Sequence, residues 1–358
     1  MKRCKLCYMP DTRPNTPFKD GICQACINHD VRVDADSNKH NEELMQLADK
    51  YRSVDKGIYD CIIPVSGGKN SYFQVKTVKE EMNMNPLLVT VCDPFTKSKA
   101  GNNNIDNIAE VFGCDHIRFI INPDVFKRVT RLYFEEFADP LRYVETAIGT
   151  YPYLLASQLK IPLIIYGEGE FEYGNGDNIP DANGWIDRKF KDINCNWLKE
   201  KGFTDNDLIP VAKKDFDFHP KCIFLGYYKN WSSMLHYRVA LRYGFQDLYH
   251  EWQREGYIEH FEQIDSIGYI VHLWLKYPKF GFQRICDIVS RRIRYGLMPL
   301  EKGKKIIDDG DWKIDQRAMD DFCDTLGYTR KQFWGIVERF WNKDIFDKDE
   351  YGIWKLKR

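Results

Sequence analysis

The stretch of this sequence best suited to chemistry is a serine- and glycine-rich turn, SGGKNS, at residues 66–71. An apolar run that predicts a buried strand precedes it, and a helical pattern begins at Tyr72. At a strand-to-helix turn the backbone N–H groups are unpaired and the helix dipole is positive, while residues without a Cβ let an anion approach. The turn, which we call the 66–71 loop, therefore predicts a phosphate site. Its spacing is neither that of a Walker loop nor that of a dinucleotide-binding turn. A Gly-Gly turn that binds nothing is the alternative.

Four cysteines have the spacing of metal ligands: Cys4, Cys7, Cys23 and Cys26. They form two C-x-x-C pairs with 15 residues between them, and each pair can place two thiolates on one side of a tight turn. The prolines and glycine nearby indicate a short ribbon with little core of its own, which would depend on the metal to fold. We predict a closed structural zinc site. Redox-active cysteines or an iron–sulfur site are the alternatives.

An acidic, glycine-wrapped stretch, GEGEFEYG at residues 167–174, follows a predicted strand. Its carboxylates would suit magnesium or sugar hydroxyls, and they are Glu168, Glu170 and Glu172. A solvated acidic loop is the alternative. The next segment, residues 174–193, is rich in Gly, Asn and Asp and contains Trp185, so we expect a flexible cover over the site.

One region concentrates basic residues, KFGFQR followed by RRIRYG, between residues 279 and 296. Guanidinium groups suit the phosphates or the carboxylate of a substrate, and the neighbouring aromatic rings could stack on a base. The candidate substrate-binding residues are Lys279, Arg284, Arg291 and Arg294. Arginines on a solvated helix face are the alternative.

Around these candidates, short apolar runs alternate with helical periodicity. The predicted strands are residues 58–65, 86–92, 116–121 and 162–166. Such alternation is typical of an α/β fold with a doubly wound parallel sheet, which binds ligands at the carboxyl ends of its strands. We divide the chain into a zinc ribbon, a linker with one helix, an α/β domain and a mainly helical region, at residues 1–30, 31–56, 57–195 and 196–358. In the last region, residues 263–275 have apolar residues at helical spacing, which predicts a helix.

Composition narrows the class of protein further. Lys and Arg number 52 and Asp and Glu 53, so the net charge of −1 provides no general field for binding nucleic acid. No apolar run approaches the roughly 18 residues of a transmembrane helix, and the first residues lack the apolar core of a signal peptide. We therefore expect a cytoplasmic protein with reduced cysteines.

The 66–71 loop resembles the SGGxDS pyrophosphate loop of the PP-loop ATP pyrophosphatase superfamily, whose members split ATP between its α- and β-phosphates. The resemblance implies that the loop binds ATP through Ser66, Gly67, Gly68, Lys69, Asn70 and Ser71. It also implies that adenine lies near the end of the second strand, at Val91, Cys92 and Asp93. Asn70 departs from the aspartate that helps hold magnesium in several relatives, which puts the metal role of this position in doubt.

Four motifs together, CKLCYMPDTRP…GICQAC, SGGKNS, GEGEFEYG and KFGFQR…IRYG, resemble the N-acetyl sugar amidotransferase family of bacterial surface-polysaccharide and flagellin-glycan pathways. The resemblance covers nearly the whole chain. It implies conversion of the N-acetyl group of a nucleotide-sugar to an acetamidino group, with ATP, Mg²⁺ and a structural Zn²⁺. ATP would adenylylate the amide oxygen, and ammonia would attack the resulting imidate. Ser66, Lys69 and Ser71 would stabilise the departing pyrophosphate.

The family resemblance also implies two partners, a glutaminase and a cyclase-like subunit that channels ammonia, similar to a pair in the histidine pathway. We expect neither a membrane nor a nucleic acid as partner. A tRNA-thiolating PP-loop enzyme is the main alternative, since some join cysteine ribbons to an SGGxDS loop. It would need catalytic cysteines, and no C-x-x-C pair lies outside the ribbon. A non-catalytic zinc-ribbon scaffold, suggested by Asn70 alone, is the third possibility.

Overall fold

A five-stranded parallel sheet forms the centre of the protein. The computed structural model describes residues 1–33, 37–53, 58–167, 169–176 and 178–357, without the side chains of Arg32, Val33 and Glu172. In chain order the strands are β1 Phe18–Lys19, β2 Ile22–Cys23, β3 Cys61–Pro64, β4 Pro86–Cys92, β5 His116–Ile120, β6 Leu163–Tyr166, β7 Lys221–Phe224, β8 Phe346–Lys348 and β9 Trp354–Leu356.

Helices cover both faces of this sheet and form most of the C-terminal region. They are α1 Gln24–Val33, α2 Ser37–Tyr51, α3 Lys69–Lys76, α4 Lys99–Phe112, α5 Pro123–Phe137, α6 Arg142–Leu159, α7 Asn183–Lys191, α8 Cys195–Glu200, α9 Leu225–Tyr228, α10 Ser233–Leu241, α11 Tyr269–Trp274, α12 Lys276–Phe280, α13 Arg284–Arg294, α14 Leu300–Gly310, α15 Gln316–Leu326 and α16 Arg330–Val337. A π-helical turn, Thr77–Glu81, extends α3, and 3-10 turns lie at Glu170–Tyr173 and Glu338–Phe340. Among these helices, none combines the length and apolar composition needed to cross a membrane.

The order of strands across the sheet is β5-β4-β3-β6-β7, and all neighbouring pairs are parallel. In the centre, Ile62 of β3 pairs with Leu87 of β4 on one side and with Ile164 of β6 on the other. The predicted doubly wound parallel sheet is confirmed. Because the order of strands reverses between β3 and β6, a crevice opens there at the carboxyl ends, and the 66–71 loop follows β3 into it.

Alternate residues of the central strands face two separate layers of core. Cys61 and Ile63 pack with residues of α3 and α4, whereas Ile62 and Ile164 pack with residues of α6 and α7. This continuous burial explains why the strand sequences are apolar without a polar-to-apolar alternation.

The sheet extends beyond the boundary that we expected at residue 195, because β7 pairs with β6. The sequence of β7, KCIF, is short and flanked by polar residues, so it carries little periodic signal. A backbone bridge from Asp181 to Ile223 covers its other side.

Two segments of the C-terminal region are helical over only part of their length. The segment 225–241 is broken between α9 and α10, where the Ser232 side chain accepts a hydrogen bond from the N–H of Leu235 and caps α10. The segment 263–275 is helical only at α11. Before α11, Gln263 has φ +45° and Ile267 donates a backbone hydrogen bond of 2.9 Å to Thr96, so tertiary pairing replaces the helix.

The expected cover at residues 174–193 is also different from the prediction. Its second half is α7, whose Ile186 and Phe190 are buried against the sheet. Just before α7, Ala182 donates a backbone hydrogen bond of 2.9 Å to Cys222 of β7. This segment is therefore a packed wall of the crevice rather than a loop anchored only at its ends.

The N-terminal ribbon packs on the C-terminal helices. Its β1–β2 hairpin turns at Asp20 and Gly21, both with positive φ, as a tight two-residue hairpin requires. The ribbon cysteines share one buried cluster with Phe282, Ile285 and Val289 at and beside α13. The ribbon thereby gains a core that its own residues could not provide.

Candidate functional site

The 66–71 loop joins β3 to α3 and is held by its own two serines. The Ser71 hydroxyl accepts a hydrogen bond of 3.0 Å from the N–H of Ser66, and the Ser66 hydroxyl accepts one of 3.4 Å from the N–H of Gly68. Gly68 is the N-cap of α3 and offers no side-chain cap. The N–H of Ser71 donates to the carbonyl of Gly68 at 2.9 Å, so among the described contacts the N–H groups of Lys69 and Asn70 remain available to an anion.

The two glycines of the loop have different roles. Gly67 has φ +74°, and a Cβ at this position would lie 2.9 Å from the backbone nitrogen of Ile105. The fold itself therefore requires a glycine there. Among the described residues, a Cβ on Gly68 would have only the Ser66 hydroxyl within 4 Å, at 3.3 Å. The space beside Gly68 is open, as an anion-binding position needs.

A cavity of about 270 Å³ opens beside the loop, and we call it the loop cavity. The sheet side contributes Ser66, Asn70, Ser71, Val91 and Asp93. The helical region contributes Trp231, Gln263, Asp265 and Tyr269. Of the residues expected near adenine, Val91 and Asp93 line this cavity and Cys92 does not.

Asp93 is anchored on both carboxylate oxygens. Oδ1 accepts hydrogen bonds from the Ser266 hydroxyl at 2.8 Å and from the N–H of Phe95 at 3.0 Å. Oδ2 pairs with the Lys97 ammonium at 2.9 Å. Nearby, burial raises the pKa of Asp265, and Lys97 opposes that effect.

Lys69 does not point into the loop cavity. Its Nζ lies 2.9 Å from Glu262 Oε1, and both side chains are 5% exposed. Oε1 also accepts a hydrogen bond of 2.6 Å from the Ser233 hydroxyl, and Oε2 accepts one of 2.9 Å from Arg284. Burial alone would raise the pKa of Glu262, but the surrounding cations hold it well below its usual range. The contact between Lys69 and phosphate therefore stays a prediction: in this structure the Lys69 ammonium forms a buried ion pair, and its backbone N–H lies at the start of α3.

The structure divides the four basic candidates among three places. Arg284 and Arg291 are two turns apart on α13 and both face Glu262, with Arg291 at 3.8 Å. Arg294 instead donates to the Cys7 sulfur at 3.6 Å. Lys279, on α12, donates to the backbone carbonyl of Ala138 at 2.8 Å. The last two are therefore not brought to the 66–71 loop.

Of the three carboxylates in the acidic stretch, the structure describes that of Glu170. Glu168 lies outside the described residues, as does the side chain of Glu172. Glu170 pairs with Arg188 at 2.7 Å, with both side chains substantially exposed. This pair lines a second cavity rather than the loop cavity.

The second cavity has a volume of about 480 Å³ and is rich in aromatic rings, so we call it the aromatic cavity. Trp185, Phe224, Tyr227 and Trp231 line it, together with the Glu170–Arg188 pair and several asparagines. Trp231 lines both cavities. A Cβ on Gly167 would lie 3.0 Å from its ring, so a glycine at the end of β6 allows this tryptophan to separate the two spaces.

The four ribbon cysteines converge as predicted. All are buried, and their sulfurs lie within 4.8 Å of one another, with 3.9 Å between Cys4 and Cys26 and 3.5 Å between Cys7 and Cys23. A tetrahedral site with zinc–sulfur bonds of about 2.3 Å separates its sulfurs by about 3.8 Å. These separations are too long for a disulfide. In a four-iron cluster each sulfur binds a different iron, which would hold the sulfurs farther apart. The residues therefore fit a single tetrahedral metal ion.

Hydrogen bonds to sulfur complete this centre. The N–H of Cys23 donates to the Cys4 sulfur at 3.3 Å. Burial alone would lower the pKa of Arg294, but the neighbouring cysteine sulfurs raise it. A cation and a backbone donor next to the sulfurs favour the thiolate form that binds metal.

Several residues of the site were missed by sequence reasoning. His236, Glu262, Asp265 and Tyr269 come from the C-terminal region, where polar residues sit in irregular or short helical segments. No motif marks them. The one available signal was a set of polar residues inside apolar stretches, which indicates buried partners without naming them.

Comparison with known proteins adds information mainly about the C-terminal part. Residues 248–358 match the family model described as "LPS biosynthesis protein WbpG-like, C-terminal domain". An uncharacterized protein of Methanocaldococcus jannaschii is 26% identical over 124 residues, which are 34% of this chain and 43% of that protein. The chain thus spans less than half the length of this curated relative.

Two solved structures align with most of the chain but at low similarity. NMN synthetase from Francisella tularensis is 9% identical, with 84% of this chain and 97% of that chain covered and a TM-score of 0.32. The U34-tRNA thiolase NcsA from Methanococcus maripaludis, with its [4Fe-4S] cluster, is 11% identical, with coverages of 91% and 95% and a TM-score of 0.33.

The family match falls on the region that supplies Glu262, Asp265 and α13 to the site. It supports the family resemblance indicated by the four sequence motifs. The similarity to the WbpG-like C-terminal domain thus extends over residues 248–358, which are less than a third of the chain.

Proposed function

We propose that the protein is an ATP-dependent amidotransferase that converts the N-acetyl group of a nucleotide-sugar to an acetamidino group. The observation that carries the proposal is the pair of cavities on the two sides of Trp231. One is built on the 66–71 loop, whose free backbone N–H groups suit an anion, and the other offers aromatic faces and hydrogen-bonding side chains of the kind that bind sugars. Two reactants bound there would meet across a single side chain.

The loop cavity suits ATP because of its hydrogen-bond donors and its shape. The N–H groups at the start of α3 and the hydroxyls of Ser66 and Ser71 would hold the phosphates. The open space beside Gly68 lets an anion reach the backbone. The strand ends at Val91 and Asp93 would form the nucleoside side of the cavity.

The chemistry requires activation because an amide oxygen is a poor leaving group. The amide oxygen of the sugar attacks the α-phosphorus, and pyrophosphate departs. Ammonia then adds to the imidate carbon, and AMP departs with the former amide oxygen, leaving the acetamidino group. The loop N–H groups act where negative charge develops on pyrophosphate. The packed wall that contains α7 would exclude water, which would otherwise hydrolyse the imidate.

The metal predictions differ in how well the described residues fit them. The cysteine centre suits a structural zinc, which would hold the ribbon together and take no part in the reaction. For magnesium, Asp93 has both oxygens engaged and the side-chain oxygen of Asn70 lies 2.9 Å from His236. The described residues that line the loop cavity thus do not form a magnesium ligand set.

Ammonia would come from a separate glutaminase through a cyclase-like subunit, as the family resemblance implies. We also propose that the reaction takes place in the cytoplasm, where ATP and nucleotide-sugars are made. A docked partner would deliver ammonia close to the sugar, since ammonia released into water at neutral pH is protonated and no longer a nucleophile.

The thiolation alternative is less well supported by the cysteines. Burial raises the pKa of every cysteine outside the ribbon, which makes these thiols poor nucleophiles: Cys61, Cys92, Cys114, Cys195, Cys222, Cys286 and Cys323.

The test is incubation of the purified protein with ATP, ammonium and a panel of N-acetylated nucleotide-sugars, followed by mass spectrometry. Replacement of the amide oxygen by NH lowers the mass of the sugar by about one unit, in step with release of AMP and pyrophosphate by the loop's phosphate chemistry. Unchanged sugars together with sulfur incorporation into tRNA would overturn the proposal in favour of thiolation.

A further inference from the structure

Asn70 is held by a histidine that comes from a distant part of the chain. The Asn70 Oδ1 atom lies 2.9 Å from Nδ1 of His236 on α10. His236 is fully buried. Its ring stacks on Phe73 with 4.0 Å between centroids and meets the edge of Trp231 at 4.5 Å. The histidine is therefore fixed in place, and through it the asparagine amide.

The orientation of this amide decides which group faces the loop cavity. With Oδ1 engaged by the histidine, the group that Asn70 can still offer is Nδ2, which is a hydrogen-bond donor. The described part of the chain places no acceptor within hydrogen-bond distance of Nδ2. Asn70 itself lines the loop cavity, one residue after the start of α3.

The distribution of charge around the cavity indicates why a neutral hydrogen-bond donor would matter there. Among the described residues that line it, there is no lysine or arginine. The Lys69 ammonium is paired with Glu262, and the Lys97 ammonium with Asp93. An anion in this cavity would therefore be held by neutral donors, to which a correctly turned asparagine amide adds one.

We propose that His236 is a positioning residue that turns the Asn70 amide so that Nδ2 donates a hydrogen bond to a phosphate oxygen of the nucleotide. Position 70 is then a phosphate donor in this chain and not a magnesium ligand. The inference rests on the proposed binding of ATP and adds to it the role of this pair. A carboxylate at the same position would repel phosphate unless a cation bridged the two.

The experiment measures ATP binding by calorimetry, in EDTA and then in magnesium, for the wild type and a small set of variants. Asn70→Ala and His236→Phe should each weaken binding in EDTA about tenfold, the effect of one hydrogen bond to a charged group. The phenyl ring keeps the stacking but cannot donate. His236→Asn, whose amide can donate near the position of Nδ1, should restore most of the affinity.

Three further measurements separate positioning from a general structural effect. The double variant Asn70→Ala/His236→Phe should bind ATP no more weakly than either single variant, because both act through one contact. Adenosine, which has no phosphate, should bind all variants equally. His219→Phe is the matched control and should leave ATP binding unchanged, since His219 is hydrogen-bonded to Tyr153 and lines neither cavity.

The measurements in magnesium test the second half of the inference, that position 70 is not a magnesium ligand in the wild type. Asn70→Asp should bind ATP poorly in EDTA and recover when magnesium is added, whereas the wild type should change much less. If Asn70→Ala and His236→Phe bind ATP as well as the wild type, the inference is overturned and the proposed function stands. If the wild type binds no ATP with or without magnesium, both are overturned. Should His236→Phe fail to fold, Asn70→Ala and Asn70→Asp still decide the outcome.

Discussion

Gly67 and Gly68 are adjacent in the loop, yet the fold requires the first as a glycine, whereas we expect the second to be needed for the ligand. Gly67 combines a positive φ with close contact to Ile105, whereas Gly68 has φ −75°, which any residue can adopt. Side chains at these two positions should consequently produce different defects.

We predict that Gly68→Val abolishes ATP binding while leaving the melting temperature nearly unchanged, because the added methyl groups occupy the space meant for the anion. Gly67→Ala should instead destabilise the domain by about 1 kcal/mol or more, since its backbone conformation is strained for any other residue. Calorimetry and thermal denaturation measure the two effects. Full ATP affinity in Gly68→Val would show that the phosphates bind elsewhere.

Glu262 is the residue that holds the buried cations together. It contacts Lys69, Arg284 and Arg291 and is 5% exposed. Removing its charge leaves buried cations without a partner, and an uncompensated buried charge strongly destabilises a fold.

We predict that Glu262→Gln lowers the free energy of unfolding at pH 7 by about 3 kcal/mol. Because the pKa of Glu262 is depressed in the fold, its contribution is complete above the unfolded value of about 4.3 and is lost only as the pH falls through the lower folded value. Denaturant titrations at several pH values should therefore show a gap between wild type and variant that is constant from pH 7 to 5 and closes well below pH 4. Glu301→Gln, at an exposed pair with Lys304, is the control and should change stability far less. A gap that closes near neutral pH would contradict the assignment.

Helix α13 connects the metal centre to the 66–71 loop. One side of it supplies Arg284 and Arg291 to Glu262, while Ile285, Cys286 and Val289 pack against the ribbon. The ribbon and α1 also hold the 3-10 turn beside the aromatic cavity. Asn28 donates to the carbonyl of Phe171 at 2.9 Å, and a Cβ on Gly174 would lie 2.8 Å from the nitrogen of Ala25. The metal centre should therefore support the wall of a cavity with which its ligands have no direct contact.

We predict that the protein holds one zinc per chain and that Cys23→Ser loses it, because three thiolates cannot close the tetrahedral site. Amide hydrogen exchange at residues 170–174 should then accelerate, as the ribbon no longer holds that turn. Metal analysis and exchange measured by mass spectrometry check the two steps. Cys323→Ser, a buried cysteine outside the centre, should keep the zinc. Retention of zinc by Cys23→Ser, or a wild type without zinc, would refute the prediction.

At the scale of the whole molecule, the sheet and the helical region form the site together. The sheet supplies the loop and the strand ends, while the C-terminal region supplies the opposite wall at Trp231, Asp265 and Tyr269. Neither part alone encloses the loop cavity. A substrate bound across both would fix their relative position, as a reaction between three molecules requires.

We predict that this chain by itself uses free ammonium, with a rate that rises with pH as more of it becomes NH₃. Glutamine should support turnover only when a separate glutaminase is added, because the sequence shows no cysteine in a glycine-rich elbow that could act as the glutaminase nucleophile. Product formation with each nitrogen source, measured by mass spectrometry, is the test. Glutamine-dependent turnover by the isolated chain would disprove the need for a partner.

The sequence by itself determined the parts of this protein that depend on local pattern. The apolar run at residues 58–65 predicted β3, and the two glycines after it predicted the loop. The change from strand to helical spacing of apolar residues predicted α3. The alternation of strands and helices predicted the parallel sheet, because such connections permit few other topologies. The spacing of the cysteines predicted a metal centre, since two tight turns with paired thiolates suit one tetrahedral ion.

Only the tertiary structure decided what surrounds the loop. The partners of Lys69 and Asn70 are Glu262 and His236, and more than 160 residues separate each pair. The division of the basic residues between Glu262 and the cysteines likewise depends on how α13 packs. From charge and residue type one can expect that these side chains form ion pairs or hydrogen bonds, but not with which residues. That choice is made when the C-terminal helices bury their apolar faces against the sheet and ribbon, and the resulting contacts leave no periodic trace in the sequence.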